Sequence, residues 1–153
     1  MKNVFVSLIV TLISATYLFS QDANKIVGFW LTQEGDSQVK IFKATNGKYY
    51  GKIVWLKDLN EEDGTPKVDD KNPDAKLQTR PIMDLLLLNS FLYDENNKEW
   101  NKGTIYDPKS GNTYKCYLWF ENNPEILHVK GYIGVSLIGR KVEWTREAEQ
   151  RNN

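Results

Sequence analysis

From Gly131 to Arg146 the sequence reads GYIGVSLIGRKVEWTR, and its second half alternates. Arg140, Val142, Trp144 and Arg146 fall on one face of an extended strand. Lys141, Glu143 and Thr145 fall on the other. A period of two places one face on an apolar interior and the other in water. The glycines at 131, 134 and 139 punctuate a turn, so the stretch reads as the closing hairpin of an antiparallel sheet. Its expected partner is Gly28-Phe29-Trp30, far back in the chain. If first and last strands pair, the sheet becomes a cylinder with no open edge.

The same rhythm fills the chain between these ends. Strands are expected at 28–33, 38–44 and 48–56, separated by Glu34-Gly35-Asp36 and by the hairpin signal Asn46-Gly47. In the third strand Tyr49, Gly51, Ile53 and Trp55 share a face. Residues 57–79 break the period: they are acidic, carry Gly64, Pro66 and Pro73, and read as a long lid, binding loop or mobile segment. Residues 81–93, centred on Leu85-Leu86-Leu87-Leu88, read as a bent strand, with a buried helix as the alternative. Further strands are expected at 99–106, 113–121 and 126–133, around Asp107-Pro108-Lys109-Ser110-Gly111 and Asn122-Asn123-Pro124. The polar residues 147–153 read as a frayed tail. The count is eight, so the expected fold is all-β: an eight-stranded antiparallel up-and-down barrel, which encloses packed side chains or one small ligand. A two-sheet sandwich fits the same spacing and is the alternative.

The first twenty of the 153 residues are of another kind. Met1-Lys2-Asn3 is a short basic start, Val4 to Phe19 is nearly all apolar, and polar sequence begins at Gln21-Asp22. This is the layout of a secretory signal peptide. The apolar run is shorter than the ~20 residues that span a bilayer, and no basic cluster follows it. The expectation is a signal peptide at 1–20 and a single domain at 21–153, exported to the periplasm or secreted, with no membrane anchor after cleavage. Loss of Lys2 leaves 19 basic against 20 acidic side chains, interleaved along the chain. That balance argues against nucleic acid and against an anionic membrane surface as partners. One cysteine, Cys116, excludes an internal disulfide, so the core must hold the fold. Five Trp, eight Tyr and six Phe supply large side chains for it.

Two sets of residues carry a resemblance. Gly28-Phe29-Trp30 in the first strand, with an Arg at the end of the last, resembles the signature of lipocalin and calycin barrels. The resemblance implies that Trp30 packs at the closed end with Arg146 across its ring, where a guanidinium on indole gains a cation–π contact. The second set runs through Ile53-Val54-Trp55-Leu56, Asn72-Pro73-Asp74, Leu77, Arg80-Pro81, Gly103-Thr104-Ile105-Tyr106-Asp107-Pro108, Gly111, Tyr114, Gly131-Tyr132-Ile133-Gly134, Gly139-Arg140 and Trp144. In this order they resemble small exported bacterial proteins grouped as domain of unknown function 2147. The resemblance covers nearly all of 26–147 and implies the barrel and export, but no mechanism. It departs at Asp84, where the family pattern expects Gly.

Few residues suggest chemistry. His128 is the only histidine, which excludes metal sites needing two imidazoles and leaves few ways to build a catalytic triad. Alternation places it opposite Leu127 and Val129, as a solvated strand residue. Ser136 lies in a spacing one residue too long for a nucleophile elbow and reads as a hairpin serine. Asp58 to Gly64, with Asp69, Asp70 and Asp74 nearby, offers oxygens for calcium, but the glycine is one place late for a calcium loop; no metal is assigned, and no cofactor. Cys116 shares the face of Leu118 and Phe120 and reads as a small buried apolar residue.

A pocket remains. Arg140 shares the inward face of Val142 and Trp144. It lies six residues from Arg146, about 20 Å at the rise of a strand, and so approaches the open end. There it would meet a ligand carboxylate or phosphate, or else a turn carbonyl or Asp107. Arg80 has the same two readings. Trp55 and Tyr106, late in their strands, are candidates for the mouth lining or for ordinary core. The leading function is therefore an exported binder of a small apolar or amphipathic molecule, with an anionic group as an option, through Trp55, Arg80, Tyr106 and Arg140. One alternative is an envelope interaction module using loop 57–79 and the outward Tyr117, Trp119 and Tyr132. The last is a hydrolase using loop carboxylates such as Asp70 or Asp74.

Overall fold

Eight strands form in the expected order, each bounded by the turn residues that the sequence places between them. In a computed structural model that describes residues 22–135 and 138–152, they are β1 (Gly28–Leu31), β2 (Ser37–Lys43), β3 (Tyr49–Leu56), β4 (Leu86–Asp94), β5 (Glu99–Asp107), β6 (Asn112–Trp119), β7 (Ile126–Tyr132) and β8 (Gly139–Glu147). Each pairs antiparallel with the next, and β1 pairs with β8, closing the barrel. Of the 81–93 segment, 81–85 is turn, while 86–93 is strand rather than helix and is bent. Its register shifts twice against β3, and Ser90 takes φ 62°. Asp84, just before it, has φ 64°, the left-handed conformation that a glycine adopts freely. The proposed signal peptide and Ser136 lie outside the described residues.

Register sorts side chains into rows from floor to mouth. At the floor, Trp30 is directly opposite Arg146, and the guanidinium carbon sits 4.2 Å from the indole centroid. Arg146 also donates to the carbonyls of Lys25 at 2.6 Å and Val27 at 3.3 Å, tying down the segment before β1. Trp30 donates its indole N–H to the Ile26 carbonyl at 2.9 Å. Trp100 stands edge-on to Phe120 and donates to the Ala23 carbonyl. Phe91 lies where a Cβ on Gly103 would sit, within 2.5 Å of it, so only glycine admits that ring. Above these, Leu118, Val129, Leu127, Val39, Ile41 and Leu88 complete a dry lower core. Burying such side chains contributes about 1.5–3 kcal/mol each and is the main stabilising term. Cys116 is buried among them, and burial pushes its thiol pKa far above the usual range.

Three segments differ from expectation. The residues after β8 are not frayed. They strap the outer face of β2 and β3: Gln38, 0% exposed, donates to Glu147 at 2.6 Å and to the Glu149 carbonyl, and accepts from the Arg151 backbone N–H. His128 is not solvated but 5% exposed. Trp119 is directly opposite on the neighbouring strand, and its ring stacks on the imidazole at 5.1 Å. Alternation assigns the outer face correctly; a large cross-strand neighbour then covers it. The acidic segment after β3 is folded rather than loose. It carries bridges Asn60↔Pro66 and Val68↔Pro81 and a short 3₁₀ turn, Ala75–Leu77, and it lies along the outside of the wall.

Candidate functional site

The mouth is the end where β1 meets β2, β5 meets β6 and β7 meets β8. Inward residues near it are Ile105, Tyr114, Gly131, Val142 and Arg140, set by the pairings Leu88↔Ile105, Ile105↔Tyr114, Cys116↔Gly131, Val129↔Val142 and Gly131↔Arg140. All but Arg140 are half-buried, unlike the inward residues of the lower rows, and Arg140 is exposed. The interior is thus filled below and only half-buried at the mouth. On its rim the β7–β8 turn presents Ile133, Val135 and Ile138, which are 73%, 60% and 70% exposed. Turns normally carry polar residues because they face water. Three large aliphatic side chains at a mouth leave apolar surface in water that a ligand would cover. The glycines of this turn read as punctuation, and the signal for an apolar rim is the run Ile133, Val135, Leu137, Ile138 among them.

Arg140 lies at the rim on the face shared with Val142 and Trp144. Its partner is a protein group, but neither a turn carbonyl nor Asp107. It donates to Glu34 of the β1–β2 turn at 2.8 Å, beside the adjacent strand, with most of the guanidinium in solvent. Such an exposed pair is worth about 0–1 kcal/mol and exchanges readily with another anion.

Trp55 is not at the mouth lining. Val39 pairs with Ile53 but Gln38 pairs with Trp55, so Val54 is an extra residue, a β-bulge. The bulge reverses the alternation and turns Trp55 outward. There Arg151 lies 4.8 Å from its ring centroid, and its indole N–H donates to the Asn152 carbonyl at 3.0 Å.

Tyr106 also faces out, sharing the outer face with Thr104, which pairs with Lys115. With Arg80 it forms a buried latch on loop 57–85. Asp69 is 0% exposed. It accepts from the Tyr106 hydroxyl at 2.5 Å, from Asn72 at 2.7 Å and from Arg80 Nε and Nη2 at 2.8 and 2.7 Å. Burial, and then the Asp69 carboxylate, push the Tyr106 hydroxyl above its ordinary pKa. Gly111 admits the loop: a Cβ there would meet the Lys71 carbonyl oxygen at 1.9 Å. Arg80 and Tyr106 therefore share a site, but it holds the loop on the wall, away from Arg140 and from Trp55. Asp69, its centre, was legible only as one more acidic residue.

The loop carboxylates have local partners. Asp63 accepts from Thr65, Asp70 pairs with Lys71, and Asp74 caps the 3₁₀ turn. Among the described residues no three His, Cys, Asp or Glu side chains converge in a way that would hold a metal ion.

The sequence profile of a family described as "Uncharacterized protein conserved in bacteria (DUF2147)" matches residues 28–146. No curated protein matches the chain. Among solved structures, a protein from the human pathogen Helicobacter pylori, described as belonging to the lipocalin family, is similar at 25% identity. The likeness covers 81% of this chain and 84% of that one, with a TM-score of 0.67.

Proposed function

The chain belongs to the bacterial family DUF2147 and folds as a lipocalin-like barrel, a container suited to small molecules in general, and we propose that it binds one apolar or amphipathic molecule at its mouth. The observation that carries this reading is the apolar rim, Ile133, Val135 and Ile138, above the half-buried Ile105, Tyr114 and Val142. Because the lower interior is filled by Trp30, Trp100, Phe91 and Leu118, the ligand sits high, with part of its length under the hairpin turn. Arg140 gives the site a preference for an anionic head, which takes the place of Glu34. The Val4–Phe19 segment sends the protein out of the cytoplasm and is removed near Ser20. Mass spectrometry of protein recovered from the periplasm or medium, starting at Gln21, checks that step.

Binding is tested by displacement of 1-anilinonaphthalene-8-sulfonate with dodecanoate and with dodecanol. Dodecanoate should compete better, and Arg140→Gln should erase the difference. Ile138→Asp should abolish both while leaving the far-UV spectrum intact. Equal competition before and after both substitutions would remove the mouth from consideration.

A further inference from the structure

On the outer wall, away from the mouth, β5, β6 and β7 form an open trench of about 660 Å³, lined by Glu99, Lys102, Thr104, Lys115, Tyr117 and Tyr132. Its floor dips because β5 bulges. Trp100 pairs with Leu118 and Gly103 with Cys116, which leaves an extra residue in β5, and Lys102 takes φ 58°. Tyr117 and Tyr132 stand at 63° to each other with centroids 6.0 Å apart, forming an angled corner. Trp119 stacks on Tyr117 at 5.1 Å and fixes its orientation. Lys130, paired across the ladder with Tyr117, shares that outer face beside the trench, whose own lining holds Lys102 and Lys115. Ion pairs occupy many lysines of this chain, but none among the described residues involves these three. Glu99 is the one carboxylate in the trench lining, and it accepts from Asn101 at 3.0 Å.

We infer that this trench binds an acidic saccharide, with carboxylates on Lys102 and Lys115 and a sugar face against Tyr117 and Tyr132. The volume suits a ligand of drug size rather than a long polymer track. Lysines with no carboxylate partner on a shared face favour an anion, and the tyrosines offer ring faces together with hydroxyls for sugar oxygens. A nucleic acid is the less fitting occupant. Its phosphate backbone needs a long positive groove, whereas this trench has the volume of one small ligand. The chain as a whole also has no excess of positive charge. The trench shares no residue with the mouth, so either site stands without the other.

The test titrates ¹⁵N-labelled protein with trigalacturonate, maltotriose and an oligothymidylate. The expected result is saturable amide shifts at 102, 115, 117, 130 and 132 with trigalacturonate alone, weakening as salt rises. Lys115→Glu should weaken binding about fivefold, the equivalent of an exposed ion pair. Tyr132→Ala should weaken it about tenfold. Both should leave the remaining spectrum folded. No saturable shift at millimolar trigalacturonate, equal shifts with maltotriose, or tighter binding of the oligothymidylate would each overturn the inference.

Discussion

At the scale of single residues, the floor of the barrel rests on two side chains from opposite ends of the domain. Arg146→Met keeps the aliphatic stem over Trp30 but removes the cation–π contact and the hydrogen bonds to Lys25 and Val27. It should lower unfolding stability by about 2 kcal/mol, read from urea denaturation. Asp84 supplies a second test. Its left-handed backbone makes glycine the natural occupant, while the exposed pair with Lys52 at 2.9 Å contributes little. Neither Asp84→Gly nor Asp84→Ala keeps that pair, so their difference isolates the backbone. The glycine variant should be more stable than the alanine one by about 1 kcal/mol. Trp30 and Arg146 were legible because they resemble the signature of lipocalin and calycin barrels, in which the first and last strands meet. Trp55 was not, because one extra residue at Val54 inverts the face of everything after it, and no residue type there announces a bulge. His128 was legible as outward-facing but not as covered, since the ring that covers it comes from another strand.

At the scale of elements, two segments outside the strands are fastened to the wall. The tail is held by Arg151, whose guanidinium makes hydrogen bonds of 2.6 to 3.0 Å to the Glu147 carboxylate. Those bonds, with a smaller help from Gln38, hold Glu147 below the ordinary glutamate value. A carboxylate depressed on folding adds stability that is present above its unfolded pKa and lost as pH falls through the folded one. The strap should therefore release on acidification below the ordinary glutamate range. The Trp55 indole N–H, bonded to the Asn152 carbonyl, is the reporter: its NMR signal should move with pH in the native chain and lose that dependence in Arg151→Gln. The loop latch is the second case. Tyr106→Phe leaves the buried Asp69 with one fewer donor and should cost about 2 kcal/mol. Amide exchange should rise across residues 66–82, with little change in β6 and β7. Sequence could not foresee either fastening. Both depend on polar residues finding partners many positions away, and period arguments see only the apolar pattern.

At the scale of the whole molecule, a filled base lies below a half-buried mouth. Eight strands, their order and their closure follow from turn residues and alternation, so the container was legible before its contents. The degree of filling was not: it depends on how Phe91 settles over Gly103 and how Trp100 meets Phe120, which are packing events between distant strands. The half-buried residues at the mouth are what that packing leaves uncovered. Methyl NMR during a dodecanoate titration tests this most directly. Shifts should be confined to Ile105, Ile133, Val135, Ile138 and Val142, with Leu118, Leu127 and Val129 unmoved. Shifts centred on Leu118 and Leu127 would place the ligand in the base of the barrel, and would contradict the division on which the account rests.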